Sequence, residues 1–168
     1  GVLTYGRTYK YHEVKAPDGY KVSKDILFTI DKQGVIRNAR YDGDTTEVRV
    51  INNTIRMADP TLDVKFSKTD LTGQYLTGAE VAVGTRDADG KFEAVETWTT
   101  TETEAAHRLS GKLQPGKTYL YRELKAPSAY AGSADIEFGV DAEGNVTKAH
   151  YVNAQGTQIL FDKNGYVT

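Results

Sequence analysis

Three ionisable residues stand at positions where the sequence pattern calls for core-facing side chains. In LDVKFSKTD, Leu62, Val64 and Phe66 alternate along one face of a strand, and Lys68 continues that face. In KTYLYRE the same alternation runs from Tyr119 and Tyr121 to Glu123. In TQILFD, Leu160 leads to Asp162, although Ile159 and Phe161 could equally form the buried pair there. Part of this set recurs earlier: Tyr9 and Tyr11 lead to Glu13, and Ile55 and Met57 lead to Asp59.

A lysine, a glutamate and an aspartate at the ends of apolar stripes have two readings. Strand ends are commonly solvated, and surface ion pairs there contribute only about 0–1 kcal/mol. If the groups are instead buried, desolvation favours the neutral forms, lowering an amine pKa and raising a carboxyl pKa. A neutral amine is a nucleophile, and a protonated carboxyl has an electrophilic carbon. A second acid beside them can polarise the carbonyl and shuttle protons. Held together without water, such a pair can condense to an amide, because proximity replaces a bimolecular encounter. Periodicity alone does not separate the two readings.

The elements that must carry these residues are strands. The chain of 168 residues has 16 glycines, 4 prolines, 11 tyrosines and a hydrophobic fraction of 39%. With its many β-branched residues, this composition predicts an all-β protein with frequent turns. An offset of 110 aligns residues 1–41 with 111–151 without a gap, and 19 of the 41 pairs are identical. That duplication divides the chain into residues 1–60, the C-terminal portion of one domain, and residues 61–168, a complete second domain. Seven strands are expected in the second domain: 62–69, 79–84, 91–99, 119–123, 135–140, 146–152 and 159–162. Turns at DADG (87–90), QPGK (114–117) and DAEG (141–144) separate them. The pattern suits tandem immunoglobulin-like β-sandwiches, the first truncated at its N-terminus. The join at 58–62 contains Pro60 and no Gly/Ser linker, which favours a stiff, extended connection.

With these residues in view, the sequence resembles the Cna-B (SpaA-like) domains of Gram-positive surface adhesins and pilins. The matching motifs are VKFSKTD (64–70), LTGAEVAV (76–83) and GKLQPGKTYLYRELKAPSAY (111–130), with YKYHEVKAPDGY (9–20) and IRMAD (55–59) in the first copy. The resemblance implies an internal isopeptide bond. Lys68 corresponds to the amine donor, Glu123 to the catalytic acid and Asp162 to the carbonyl acceptor, with Asn164 the runner-up because many members use Asn. Glu13 and Asp59 are the first-copy equivalents. Their lysine strand would lie upstream of residue 1, so a separate fragment supplying it is one expected partner. Where the first copy reads APDGY the second reads APSAY, a departure at the turn. No LPxTG-like sorting signal or YPKN-like pilin motif occurs in the segment.

The resemblance implies a structural stalk segment of a surface adhesin or pilin, extracellular and attached to the cell wall through parts outside this chain. Neighbouring domains of the same protein are its expected partners. The alternative is a ligand-binding module for a host protein or glycan, with the longer segment 42–53 as its surface. Turnover catalysis is not expected beyond a single bond-forming event. The 21 basic and 23 acidic residues include no basic block for nucleic acid, and no apolar run is long enough to span a membrane. There are no cysteines and only three scattered histidines, so neither a metal site nor a cofactor is expected. Asp87 and Asp89 lack the other ligands of a calcium loop and read as a hairpin turn.

Overall fold

The computed structural model describes residues 2–160. Asp162, Asn164 and the second half of the expected strand 159–162 lie outside the described residues. The chain divides into two compact units, Gly1–Thr61 and Leu62–Thr168. Among the described residues every regular element is a β-strand.

In the first unit, β1 (Thr8–Tyr11), β2 (Ile26–Ile30) and β3 (Ile36–Tyr41) form an antiparallel sheet in that order. Tyr9 lies opposite Phe28, their ring centroids 5.7 Å apart. The segment 42–53 is not a plain loop. Val48 N–H donates to the Ala39 carbonyl at 2.8 Å, and β4 (Val50–Ile51) pairs with β5 (Thr54–Ile55). Asn52 and Asn53 turn that hairpin with φ of 50° and 58°, the left-handed pair that a type I′ turn requires and Asn tolerates.

The second unit is a sandwich. Its larger sheet has the order β12-β11-β10-β7-β8, built from β7 (Glu80–Arg86), β8 (Phe92–Thr99), β10 (Thr118–Lys125), β11 (Asp135–Val140) and β12 (Val146–Val152). The facing layer is β6 (Asp63–Phe66) paired antiparallel with β9 (His107–Ser110). Leu62, Val64, Phe66 and Leu109 from the smaller layer pack against Val83, Tyr119, Phe138 and Val140 from the larger one. Each such side chain, taken fully from water, contributes roughly 1.5–3 kcal/mol.

Two strand expectations differ from the structure. His107–Ser110 forms a strand although HRLS carries one inward apolar residue, Leu109, too few to display an alternation. In the other direction, Ile159 and Leu160 form no strand; Ile159 is tied to Tyr151 by one hydrogen bond of 2.8 Å.

Duplication extends to irregularities. Asn38 (φ 52°) and Lys148 (φ 53°) occupy the same repeat position, beside equivalent register shifts in the β2-β3 and β11-β12 pairs. Turns share one chemistry as well. Asp31, Asp70, Asp87, Asp141 and Asn153 each start a D/N-x-x-G segment and accept two backbone N–H groups on one side-chain oxygen. Asp87 is therefore committed to holding its own turn, as the sequence pattern suggested.

Candidate functional site

Lys68 sits two residues beyond the end of β6, on the face of Leu62, Val64 and Phe66, and its main chain is pinned by Leu76 N–H at 2.9 Å. Glu123 lies on β10, two residues beyond the core-facing Tyr121 and opposite Val81. A register shift follows at once, between Glu123 and Lys125, so the strand bulges beside the glutamate. Lys68 Nζ comes within 3.7 Å of Glu123 Oε1, the two side chains being 15% and 2% exposed. The structure thus brings together two of the three residues that the pattern singled out, and does so below the surface. A cavity of about 120 Å³ adjoins them, lined among others by Thr69, Val81, Ile136 and Tyr151.

The two oxygens of Glu123 differ. Oε2 accepts the Ser133 backbone N–H at 2.7 Å. Oε1, the oxygen facing Lys68, is buried without a hydrogen-bond partner among the described residues. An unsatisfied buried acceptor costs about 1–3 kcal/mol.

Aromatic rings wall the pair off. Tyr121 packs on Phe66 with centroids 5.2 Å apart and lies parallel to Trp98 at 5.9 Å. Its hydroxyl donates to the Ser67 carbonyl at 3.3 Å. Burial, aided by the Glu123 charge, pushes the Tyr121 phenol up to about 12, so it remains a neutral donor at any ordinary pH.

The first unit assembles its own acid pair. Ser23 N–H donates to Glu13 Oε2 at 2.7 Å, and Ser23 Oγ donates to the Ala58 carbonyl at 3.1 Å. Ala58 precedes Asp59, whose carboxyl is held above its ordinary range first by burial and then by the charge and hydrogen bond of Glu13. Ile55, Met57 and Asp59 are the less exposed face of their segment, while Thr54, Arg56 and Ala58 point outward, the alternation the sequence predicts.

Sequence reasoning did not find Ser23 or Ser133. Both act through a backbone N–H, which has no residue-type signature. The available signal was the common spacing: each serine follows its glutamate by ten positions. Among the described residues, no group of three or more His, Asp or Glu side chains converges as a metal site would require.

The SpaA prealbumin-like fold domain matches residues 2–45 and 62–155. Among solved structures, the C-terminal fragment of the pilus adhesin SpaC from Lactobacillus rhamnosus GG is 22% identical, with a TM-score of 0.45, over 97% of this chain and 71% of that one. The open conformation of SpaC from the same organism is also 22% identical, with a TM-score of 0.43, over 95% of this chain and 22% of that one. No curated protein matches the chain. With one matched segment in each unit, the two together covering most of its length, the chain belongs to the family of SpaA prealbumin-like fold domains.

Proposed function

We propose that the chain is a structural segment of a cell-surface pilin or adhesin whose second unit is locked by an amide bond between Lys68 and Asp162. The observation that carries this reading is the Lys68–Glu123 pair, 3.7 Å apart and almost fully enclosed. Glu123 draws a proton from the Lys68 ammonium, leaving the amine lone pair free to attack Cγ of a protonated Asp162. The N–C bond forms and one C–O bond breaks. The departing hydroxyl leaves as water with a second amine hydrogen, relayed by Glu123. The proton first taken from the ammonium is released to solvent, so Glu123 ends as the carboxylate it began. The event happens once per chain and is not turnover catalysis. Asn164 is the alternative acceptor, with ammonia as the leaving group.

The cross-link closes a loop of roughly 95 residues and, by analogy with other chain cross-links, contributes about 4–5 kcal/mol. It also passes tension from one end of the unit to the other through a covalent path, the need of a surface stalk that lacks disulfides. Neighbouring domains of the same extracellular protein are its partners, and anchorage to the cell wall belongs to other parts of that protein. Intact mass under denaturing conditions tests the reading. Loss of one water, mapped to Lys68 and Asp162 and abolished in Glu123→Ala, is the expected result; an unmodified mass overturns it.

The acid pair of the first unit favours a second reading alongside the first. Asp59, kept protonated more readily beside Glu13, is suited to accept an amine from a lysine strand, whether supplied upstream in the parent chain or by a separate fragment. A peptide spanning residues 61–86, which carries such a strand, would add its mass minus one water to Asp59. No adduct, or one elsewhere, defeats this reading.

A further inference from the structure

Both glutamates are gripped by the same donor in the same way. Ser133 N–H reaches Glu123 Oε2 and Ser23 N–H reaches Glu13 Oε2, each at 2.7 Å. Between glutamate and serine lies A-P-x-[G/A]-Y, which folds into a turn closed by Tyr20 N–H to the Pro17 carbonyl and by Tyr130 N–H to the Pro127 carbonyl, both at 3.1 Å. The residue before the tyrosine is left-handed in both, Gly19 at φ 83° and Ala129 at φ 71°. Ala129 holds that conformation against the steric penalty on its Cβ. Glycine is absent there, yet the geometry is kept.

We propose that Ser23 and Ser133 are positioning residues whose backbone N–H groups fix the carboxylates of Glu13 and Glu123, so that in the second unit only Oε1 is presented to the amine. This rests on the amide-forming reading above. A glutamate carboxyl turns freely about its last torsion, with two-fold symmetry, and unaided would share both oxygens among all donors. A charge-assisted N–H bond on Oε2 removes that freedom. The other oxygen is left buried, unsatisfied and 3.7 Å from Lys68 Nζ. The A-P-x-[G/A]-Y turn then has a stated purpose: it returns the chain so that the tenth residue meets the glutamate. In the first unit the serine does more. Ser23 is 6% exposed, and its hydroxyl holds Ala58, so one residue sets both the glutamate and the segment that carries Asp59.

The test compares Ser133→Ala, which keeps the N–H, with Ser133→Pro, which removes it, reading the fraction of chains lighter by one water at fixed times after synthesis. Ser133→Ala is expected to link like the parent and Ser133→Pro at least tenfold more slowly. If Ser133→Pro loses the near-ultraviolet signal of packed Trp98, replacement of the 132–133 amide by an ester removes the same N–H with little change of shape. Equal linking without the N–H overturns the proposal. If the parent chain carries no bond at all, the amide-forming reading fails by itself. Positioning is then read from the Ser133 amide proton, expected to be protected from exchange in the parent and to lose that protection in Glu123→Ala. A Ser133 amide proton indifferent to Glu123 overturns it.

Discussion

His12 and Arg122 stand 110 positions apart and grip equivalent aspartates. Arg122 holds Asp135 with two parallel bonds, Nε to Oδ1 at 3.0 Å and Nη2 to Oδ2 at 2.6 Å, while its guanidinium lies 4.5 Å from the centre of the Phe92 ring. His12 Nδ1 meets Asp25 Oδ1 at 2.6 Å, and Lys10 takes the other oxygen at 3.0 Å. Each pair sits at the start of the next strand and ties it to its neighbour, β1 to β2 in one unit and β10 to β11 in the other.

Asp135 is 8% exposed, and removing Arg122 leaves its carboxylate facing only Arg86 Nη2 at 3.7 Å. Arg122→Ala is expected to cost about 1.5–3 kcal/mol, the loss of its charged hydrogen bonds, because Arg86 still faces the carboxylate. The midpoint of denaturant unfolding reads the loss. His12→Ala, at a solvated site, is expected to shift that midpoint much less, and equal shifts would show that burial of Asp135 is not what matters.

Acid should weaken the D-x-x-G turns. Asp31, Asp70 and Asp141 have carboxyls held below the ordinary range, Asp31 chiefly by the Val35 N–H, Asp70 by the Thr72 hydroxyl and Asp141 by the Asn145 side chain. A carboxyl lowered in the folded state stabilises above its unfolded pKa of about 3.9 and ceases to do so as pH falls through the folded value. Asn153 builds the same turn with a neutral side chain. Asp141→Asn should therefore keep its turn and flatten the decline of stability below about pH 4. A decline as steep as in the parent would remove Asp141 from the account.

The faces of the strands were legible because period-two alternation is a direct consequence of the pleat. Leu62, Val64, Phe66 and Lys68 fall on one face as the pattern requires, and the turns lie where Asp and Gly recur. Other features leave no such trace. β9 is four residues long with one buried side chain, so it has no period to read. Arg122 and Asp135 meet only because β10 and β11 pair, and their positions look like ordinary solvated charges in the sequence. The serine N–H groups are main chain, and only a fold can say where they point.

At Ala129 the two copies perform an experiment on each other. Gly19 adopts the left-handed conformation freely, whereas Ala129 does so with a Cβ penalty of about 1–2 kcal/mol. Glycine in its place gives back about 0.4–1 kcal/mol through the unfolded chain. Ala129→Gly is thus expected to stabilise the second unit by roughly 0.5–1 kcal/mol. Thermal unfolding measures it, and a destabilised variant would mean that the methyl group makes a compensating contact.

Asp59 should give the first unit a pH response opposite in sign to that of the turns. Its carboxyl is raised, first by burial and then by Glu13, so the folded unit prefers it protonated. The contribution is complete below the unfolded pKa of about 3.9 and is lost as pH rises through the higher folded value, where a second negative charge forms beside Glu13. The Ser23 N–H, bonded to Glu13 Oε2, reports locally on that pair. Hydrogen exchange at Ser23, corrected for its intrinsic pH dependence, should lose protection as pH rises through that range in the parent chain. In Asp59→Asn, which cannot ionise, protection should stay level. Were the substituted chain to lose protection over the same range, the coupling would have to arise elsewhere, and Asp59 would be an ordinary surface acid.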